Sequence, residues 1–298
     1  MHHSFRISPA MKTITLLASV LTMSLLQTSG VAAPRPKIAA HRGSSFIAPE
    51  NTLAAFKLGW EQKAEACELD IHLSKDGRLM VIHDKDTSRT AGGKNLAIVE
   101  TNADELRKLD FGSFLNAKYA GEKIPFLEEV LEMMPKGQDT YVEIKIGPEA
   151  VPPLKKALEA SGKMDQIVII SFKMDSCIAS KKAMPSIPVY FLKGAVKDKV
   201  TSEPIPHSLD LVKKVKDADL DGLDVSYDGV TPELVKETRA QGLSFHVWTV
   251  DKPEDALRMA KLGVDSITTN KPDLLLETFK SAGFDEPVKA ATKAAAGK

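Results

Sequence analysis

The sequence predicts an α/β fold of the (β/α)8 barrel type, because eight short apolar runs alternate at regular spacing with amphipathic segments. The barrel is predicted to span residues 34–284. An open, doubly wound sheet shows a similar alternation and is the alternative. The barrel is favoured because acids and bases end the apolar runs at the start, the middle and the end of the chain. In a barrel, all of these ends meet in one ring at the carboxyl face.

Each predicted strand is a short apolar run, and the amphipathic segments between these runs are the predicted helices. The strands are Lys37–His41, Cys67–His72, Thr140–Lys145, Ile167–Ser171, Val189–Leu192, Gly222–Ser226, Ser244–Thr249 and Ser266–Thr269. The helices are Thr52–Lys63, Leu127–Met134, Glu149–Ala160, Asp175–Ala183, Ser208–Lys216, Pro232–Gln241, Pro253–Leu262 and Pro272–Lys280. Thr52 can cap the first helix, and Pro232 and Pro253 occupy first helical positions. Gly242 and Gly263 stand where two helices need a left-handed residue to end.

One interval interrupts this rhythm after the second strand. Residues 74–125 contain an extra strand, Arg78–Ile82, which follows a hairpin turn at 74–78. A polar stretch at 85–125 then includes a short helix near Ala103–Leu109. We therefore expect a small insertion over the barrel mouth, where loops often select the substrate.

The two ends of the chain have sequences that do not belong to the barrel. Residues 1–33 show a secretory signal pattern, with an apolar run at 14–26 followed by small residues. Met11–Lys12 makes a better charged start than Met1. The run is short for a membrane span, so we expect an exported, periplasmic or secreted protein with no stable membrane insertion of the mature chain. An uncleaved anchor is the alternative. Residues 285–298 are rich in Ala and Lys and are expected to be disordered.

The composition limits the classes of function. Lysine and arginine total 40, and aspartate and glutamate also total 40, so the formal net charge is zero. Nucleic-acid binding usually requires a basic surface, so no nucleic-acid partner is expected. The two cysteines, Cys67 and Cys177, fall in a strand and in a distant helix. They are expected to be buried free thiols, with a disulfide as the alternative.

A group of carboxylates indicates a metal site. Glu68 and Asp70 are two residues apart on one strand, so their side chains point to the same face. Burial of such a pair is costly unless a cation neutralises it. Oxygen ligands suit Mg²⁺ or Ca²⁺, and Glu143 on another strand can complete the set. A structural network with Lys or Arg is the alternative.

Two histidines and two cations indicate phosphate-ester chemistry. His41 and His83 each close an apolar run, and histidine carries protons near neutral pH. The two could act as base and acid across one ester bond, in either order. Arg42 and Lys145 suit phosphate contacts, unless they only pair with the carboxylates. Trp248 is expected to form an apolar wall for the substrate, with a place in the barrel core as the alternative.

Four further residues carry smaller expectations. Asp224 ends a strand and is a secondary site candidate, and His72 could line the site. His246 is expected in the core, because it shares the face of the tryptophan but sits deeper. His207 stands in Pro-rich loop sequence and is expected to be solvated.

Taken together, these motifs resemble the glycerophosphodiester phosphodiesterase family over about residues 37–280. The resemblance is carried by His41-Arg42-Gly43, Pro49-Glu50-Asn51-Thr52, Glu68-x-Asp70, His83-Asp84, Ile124-Pro125-Phe126-Leu127-Glu128-Glu129-Val130, Glu143-Ile144-Lys145, Trp248-Thr249-Val250 and Thr269-Asn270-Lys271-Pro272. The family fold is a TIM barrel with a small insertion after the second strand. Two positions depart from the family pattern: Ser44-Ser45 replace a glycine-rich continuation, and Asn270 replaces an acid near the rim.

The resemblance implies a role for each candidate residue. His41 and His83 match the acid–base histidines; the metal carboxylates match Glu68, Asp70 and Glu143, with one divalent cation, Mg²⁺ or Ca²⁺. The phosphate-contacting cations match Arg42 and Lys145, and a substrate-side aromatic matches Trp248. The implied reaction is hydrolysis of a small-molecule glycerophosphodiester to glycerol 3-phosphate and an alcohol. A lysophospholipase D-like activity on lysophospholipids and a non-catalytic periplasmic binding protein are the alternatives.

Overall fold

Eight parallel strands close into a ring in the computed structural model, which describes residues 1–2, 34–284 and 286–287. The signal peptide expected at 1–33 and the disordered tail expected at 285–298 lie outside these described residues, apart from the few positions just named.

The strands follow one another around the ring in chain order. They are β1 Lys37–Ala40, β2 Ala66–Leu73, β3 Leu79–Val81, β4 Asp139–Ile144, β5 Ile167–Ser171, β6 Val189–Lys193, β7 Val196–Lys197, β8 Pro204–Ile205, β9 Gly222–Ser226, β10 Ser244–Trp248 and β11 Ser266–Thr269. The ring runs β1, β2, β4, β5, β6, β9, β10, β11, and β11 pairs with β1 to close it. All eight pairings are parallel. The predicted barrel is therefore confirmed, and the open sheet is excluded.

Helices separate the strands, and each predicted helix is present. They are α1 Leu53–Glu61, α2 Ala103–Leu106, α3 Leu127–Met133, α4 Val151–Ser161, α5 Met174–Ala183, α6 Asp210–Asp217, α7 Pro232–Ala240, α8 Pro253–Leu262 and α9 Pro272–Ser281. Thr52 caps α1 as predicted, because its side chain accepts a hydrogen bond from Ala55 N. Gly263 ends α8 with a left-handed φ of 81°. None of the helices in the described part of the chain has the length and apolar character that a membrane crossing needs.

Successive side chains along each strand point to opposite sides, so the barrel has two hydrophobic clusters, one between the strands and the helices and one inside the ring. In β9, Leu223 and Val225 join the large cluster shared by strands and helices, whereas Asp224 faces the barrel interior. The interior is filled by a separate cluster of Ala39, Ala66, Tyr141, Val168, Ile170, Tyr190 and Leu192. Because these side chains fill the barrel, polar groups gather where the strands end. Cys67 and Cys177 are buried free thiols, as expected.

The insertion has a hydrophobic core of its own. Strand β3 pairs antiparallel with the end of β2, and the following segment packs around Met80, Ile82, Ala91, Ile98, Ala103, Leu106, Phe111 and Ile124. It also reaches the loop after β1, where the Tyr119 hydroxyl donates to the Ile47 carbonyl at 3.1 Å. The predicted insertion after the second barrel strand is therefore confirmed.

Candidate active site

A cavity of about 170 Å³ opens at the carboxyl ends of the strands. Seven of the eight site residues predicted from the sequence line it: His41, Arg42, Glu68, His83, Glu143, Lys145 and Trp248. The eighth, Asp70, is 1% exposed and lies against the two cations, with carboxylate oxygens 3.4 Å from Arg42 Nε and from Lys145 Nζ. The barrel thus brings together residues that lie more than 200 positions apart in the sequence.

Three carboxylates cluster at one side of this cavity, and two of them, Glu68 and Glu143, line it. Glu68, Asp70 and Glu143 each place one oxygen within 4.8 Å of the others. The arrangement follows from the sheet, because β2 and β4 are neighbours and Asp70 pairs in register with Glu143. Glu68 lies two residues before Asp70 and so faces the same side.

The environment of these acids suits a cation. Burial and the neighbouring negative charges raise the pKa of Glu68 well above its usual value and that of Glu143 to about 7. Burial alone would also raise the pKa of Asp70, but the charges of Arg42 and Lys145 hold it below its usual range. Asp70 Oδ1 accepts no hydrogen bond within the described residues. An all-oxygen set with an uncommitted lone pair fits Mg²⁺ or Ca²⁺.

The two predicted phosphate contacts are paired with these acids. Lys145 Nζ lies 2.8 Å from Glu143 Oε1. Arg42 donates its backbone N–H to Glu68 Oε2 at 2.9 Å and its Nη1 to Glu50 Oε1 at 2.8 Å. Both cations nevertheless line the cavity. Ion pairing therefore does not remove either cation from the cavity.

His41 is held by an amide rather than by a carboxylate. Its Nδ1 lies 2.7 Å from Asn270 Oδ1, and Asn270 donates its side-chain amide to Asp251 Oδ2 at 2.6 Å. Asp251 also accepts from Asn270 N at 2.8 Å. Because the amide nitrogen must face Asp251, the amide oxygen must face His41, and Nδ1 carries the proton. Burial, followed by the charge of Arg42, lowers the pKa of His41 to about 4.

His83 has a charged partner instead. Its Nδ1 lies 2.8 Å from Asp84 Oδ1, and Arg89 Nε donates to Asp84 Oδ2 at 2.6 Å. Arg89 also binds Glu50, which in turn binds Arg42. One chain of ion pairs therefore links the insertion to the loop after β1.

An aromatic pair forms another wall of the cavity. Trp248 lies on β10, and the ring of Phe172 packs edge-on against it at 5.5 Å between centroids. The indole Nε1 donates to the backbone oxygen of Asp224 at 3.3 Å. Phe172 was not expected from the sequence, although its position directly after β5 is the signal that could have identified it.

The structure also gives the positions of Asp224 and of three further histidines. The expectation that His207 is solvated was wrong: it is 7% exposed, and its Nε2 bonds the Ser226 carbonyl at 2.8 Å. His72 does not line the cavity but bonds the backbone oxygen of His83 at 3.1 Å. His246 lies in the core beside two tyrosine rings, as expected. Asp224 lines the cavity, but it sits inside β9 rather than at its end.

Asn270 and Asp251 were missed as parts of the site. The sequence shows Asn270 only as the loss of an acid at the rim. In the fold, the carboxylate of Asp251 accepts hydrogen bonds from Asn270, which in turn contacts His41. The acid is therefore present, with Asn270 between it and the imidazole. An acid in the loop after β10 is the only sequence signal for this contact.

Comparisons with known proteins agree with this geometry. The sequence profile described as the Glycerophosphoryl diester phosphodiesterase family matches residues 41–274. A glycerophosphodiester phosphodiesterase of Caldanaerobacter subterraneus subsp. tengcongensis is 36% identical over 253 residues, which cover 83% of this chain and 98% of that protein. A Bacillus subtilis glycerophosphodiester phosphodiesterase is 32% identical over 259 residues, which cover 81% of this chain and 85% of that protein. An Oleispira antarctica phosphodiesterase, solved in complex with the product sn-glycerol-3-phosphate, superposes with a TM-score of 0.74 at 26% identity, over 83% of this chain and 97% of that one.

Proposed function

This chain belongs to the glycerophosphoryl diester phosphodiesterase family and is a phosphodiesterase of that class, and we propose that it works with one divalent cation and a base–acid pair of histidines. The reaction releases glycerol 3-phosphate and an alcohol from a glycerophosphodiester. The observation that carries the proposal is a cavity lined by two cations and two imidazoles, beside three carboxylates with oxygens within 4.8 Å of one another.

The carboxylates and cations would handle the charge of the phosphate. Glu68, Asp70 and Glu143 would hold a divalent cation, which would supply positive charge to polarise the phosphate and stabilise the transition state. Arg42 and Lys145 bind the phosphate oxygens, and the chain of ion pairs through Glu50 keeps Arg42 oriented. We propose Mg²⁺ or Ca²⁺ as the ion, since all of its protein ligands are oxygens.

His41 is proposed as the general base. With Nδ1 protonated and bound to Asn270, its Nε2 keeps a free lone pair. Its low pKa of about 4 keeps the ring neutral at physiological pH. Nε2 removes the proton from the attacking hydroxyl, which is water or the 2-hydroxyl of the substrate's own glycerol. An internal hydroxyl acts at high effective molarity and yields a cyclic phosphate that water then opens.

His83 is proposed as the general acid. The Asp84 carboxylate accepts from Nδ1 and orients the ring so that Nε2 is left for the leaving group, whereas the partner of His41 is the neutral amide of Asn270. As the phosphorus–oxygen bond to the alcohol breaks, His83 Nε2 delivers its proton to the leaving alkoxide. The different partners of the two rings therefore support the order, base at His41 and acid at His83, that the sequence left open.

The test is release of glycerol 3-phosphate from glycerophosphocholine and glycerophosphoethanolamine. The protein is produced from residue 34 onward, since we propose that residues 1–33 direct export and are removed. It is assayed after chelation and again with Mg²⁺ or Ca²⁺ restored, with Glu143→Gln as the matched variant. Release that returns with the metal in the wild type, and needs more metal in the variant, supports the proposal. Full release after complete chelation would contradict it.

A lysophospholipid substrate is the second candidate. Phe46 and Phe172 are 63% and 43% exposed and lie on loops that follow β1 and β5, at the end of the barrel where the cavity opens. Apolar side chains in this position could contact an acyl chain. Lysophosphatidylcholine is therefore assayed beside the water-soluble diesters. A higher kcat/KM on the lysophospholipid would favour this candidate, and tight binding without turnover of any substrate would favour a binding protein.

A further inference from the structure

Asp224 is a buried acid in the cavity that the proposed chemistry does not use. It is 1% exposed and lines the same cavity as Arg42 and Lys145. Its Oδ1 is buried without a hydrogen-bond partner, and it forms no ion pair within the part of the chain that the structure describes. A buried carboxyl oxygen without a hydrogen-bond partner is unfavourable, so a role in binding a ligand would account for it.

The position of Asp224 separates it from the proposed phosphate site. In the ring of eight strands, β9 lies four strands from β2 in either direction, so Asp224 faces Glu68 and Asp70 from across the barrel. Its register neighbours are Leu192 on β6 and His246 on β10. The nearby charge that acts on it is the negative charge of Glu143, which, after burial, raises the pKa of Asp224 to about 8. The two cations proposed to bind the phosphate, Arg42 and Lys145, pair with Asp70 and Glu143 rather than with Asp224.

The surroundings of Asp224 favour a neutral, hydroxyl-bearing group. Leu192 and Trp248 line the cavity next to Asp224, and the indole N–H of Trp248 donates to the backbone oxygen of the same residue. A carboxyl group accepts hydrogen bonds from hydroxyls in either protonation state. A polar group set in an apolar wall discriminates strongly between ligands that have a hydroxyl and ligands that lack it.

We propose that Asp224 binds a hydroxyl of the substrate's glycerol unit and so selects glycerol-containing phosphodiesters. The inference rests on the proposed function, because it takes the phosphate to lie beside Arg42 and Lys145. The glycerol unit then extends across the cavity toward β9 and β10. Asp224 is a specificity-determining residue, and recognition of the phosphate does not depend on it.

The experiment compares two inhibitors of the metal-loaded enzyme, sn-glycerol 3-phosphate and inorganic phosphate. Both carry the phosphate group, and only the first carries glycerol hydroxyls. Inhibition constants are measured for the wild type, Asp224→Leu and Asp224→Asn. Asp228→Asn changes an exposed acid four residues away and is the matched control. Thermal unfolding of each variant establishes that it is folded, and the asparagine variant serves if the leucine variant is not.

In Asp224→Leu, the inhibition constant of sn-glycerol 3-phosphate is expected to rise by about tenfold to a hundredfold, the usual effect of losing one buried hydrogen bond to a ligand. That of inorganic phosphate should stay within about twofold. In Asp224→Asn, the inhibition constant of sn-glycerol 3-phosphate should rise less, since an amide still binds hydroxyls. In Asp228→Asn, both inhibition constants should match those of the wild type. An unchanged constant for sn-glycerol 3-phosphate, or an equal loss for both inhibitors, would overturn the inference. A wild type that does not prefer sn-glycerol 3-phosphate over phosphate would instead contradict the proposed function.

Discussion

Exchanging the side chains of Asn270 and Asp251 should change the pH dependence of the enzyme in a calculable way. His41, residue 270 and residue 251 are joined by two successive hydrogen bonds. In the double variant, Asn270→Asp with Asp251→Asn, a donor still faces an acceptor in each of them. The new carboxylate at position 270 accepts from His41 Nδ1, now 2.7 Å from the amide oxygen, and from the new amide at position 251. The oxygen of that amide can still accept from the backbone N–H of residue 270 and from the Thr269 hydroxyl.

The magnitude follows from the charge placed next to His41. An adjacent carboxylate raises a histidine pKa by about 1–3 units, which corresponds to about 1.4–4 kcal/mol in favour of the imidazolium. The pKa of His41, about 4 in the wild type, should therefore rise to between about 5 and 7. A base must be unprotonated to act, so the acid limb of kcat/KM should move to higher pH. If the pKa becomes 6, the rate at pH 5 falls to about a tenth of its plateau value, whereas the wild type loses about a tenth.

The assay is kcat/KM for glycerophosphocholine from pH 4.5 to 8 at saturating metal. The single variant Asn270→Asp is the control, because it sets two carboxylates against each other at the 2.6 Å contact with Asp251. It should be less stable and less active than the double variant, since like charges at that distance repel. An acid limb in the double variant that coincides with that of the wild type would refute the assignment of His41 as the base.

Two further predictions concern stability. The pKa of His246 is lowered to about 3, by burial and then by Lys37, so the unfolded state takes up a proton first as the pH falls below about 6.5. Stability should therefore fall by about 2 kcal/mol from this residue between pH 7 and pH 5. In His246→Phe, urea unfolding should show a shallower pH dependence over that range, and an unchanged slope would count against the buried neutral ring. Gly43→Ala should lower the unfolding temperature far more than Gly93→Ala. Both glycines have a left-handed φ, of 78° and 82°, but an added Cβ would lie 2.4 Å from the Ala55 backbone at the first site and in open space at the second. An equal decrease in unfolding temperature in the two variants would show that contact of the added Cβ with the Ala55 backbone does not destabilise the fold.

The fold and the ring of site residues could be predicted because they depend on local patterns. The alternation along the second strand places Glu68 and Asp70 on one face, and the parallel pairing of β2 with β4 brings Glu143 beside them. The same reasoning placed His41 and His83 in one cavity. No long-range information was required, since the barrel itself supplies the contacts.

The contacts that the sequence did not reveal depend on side chains that meet only in the fold. Asn270 appeared to be a lost acid, because nothing in the sequence shows that Asp251, 19 residues earlier, lies against it. His207 was expected in solvent because its neighbours have loop composition, but Ser226 on β9 offers it a carbonyl. The sequence could not show that Asp224 Oδ1 is buried without a hydrogen-bond partner among the described residues, because that depends on the side chains around the cavity.

The order of base and acid is the central claim, and leaving-group chemistry tests it most directly. His41→Ala and His83→Ala are compared on glycerophosphocholine, whose alkoxide needs a proton to leave, and on glycerol 3-(4-nitrophenyl phosphate), whose nitrophenolate does not. In His83→Ala, kcat should fall by about 10²–10⁴-fold on the choline ester and by less than about tenfold on the nitrophenyl ester. His41→Ala should lose about 10²–10⁴-fold on both, because each reaction needs the base. Rescue of His41→Ala rather than His83→Ala by the nitrophenyl ester would contradict the account and reverse the two roles.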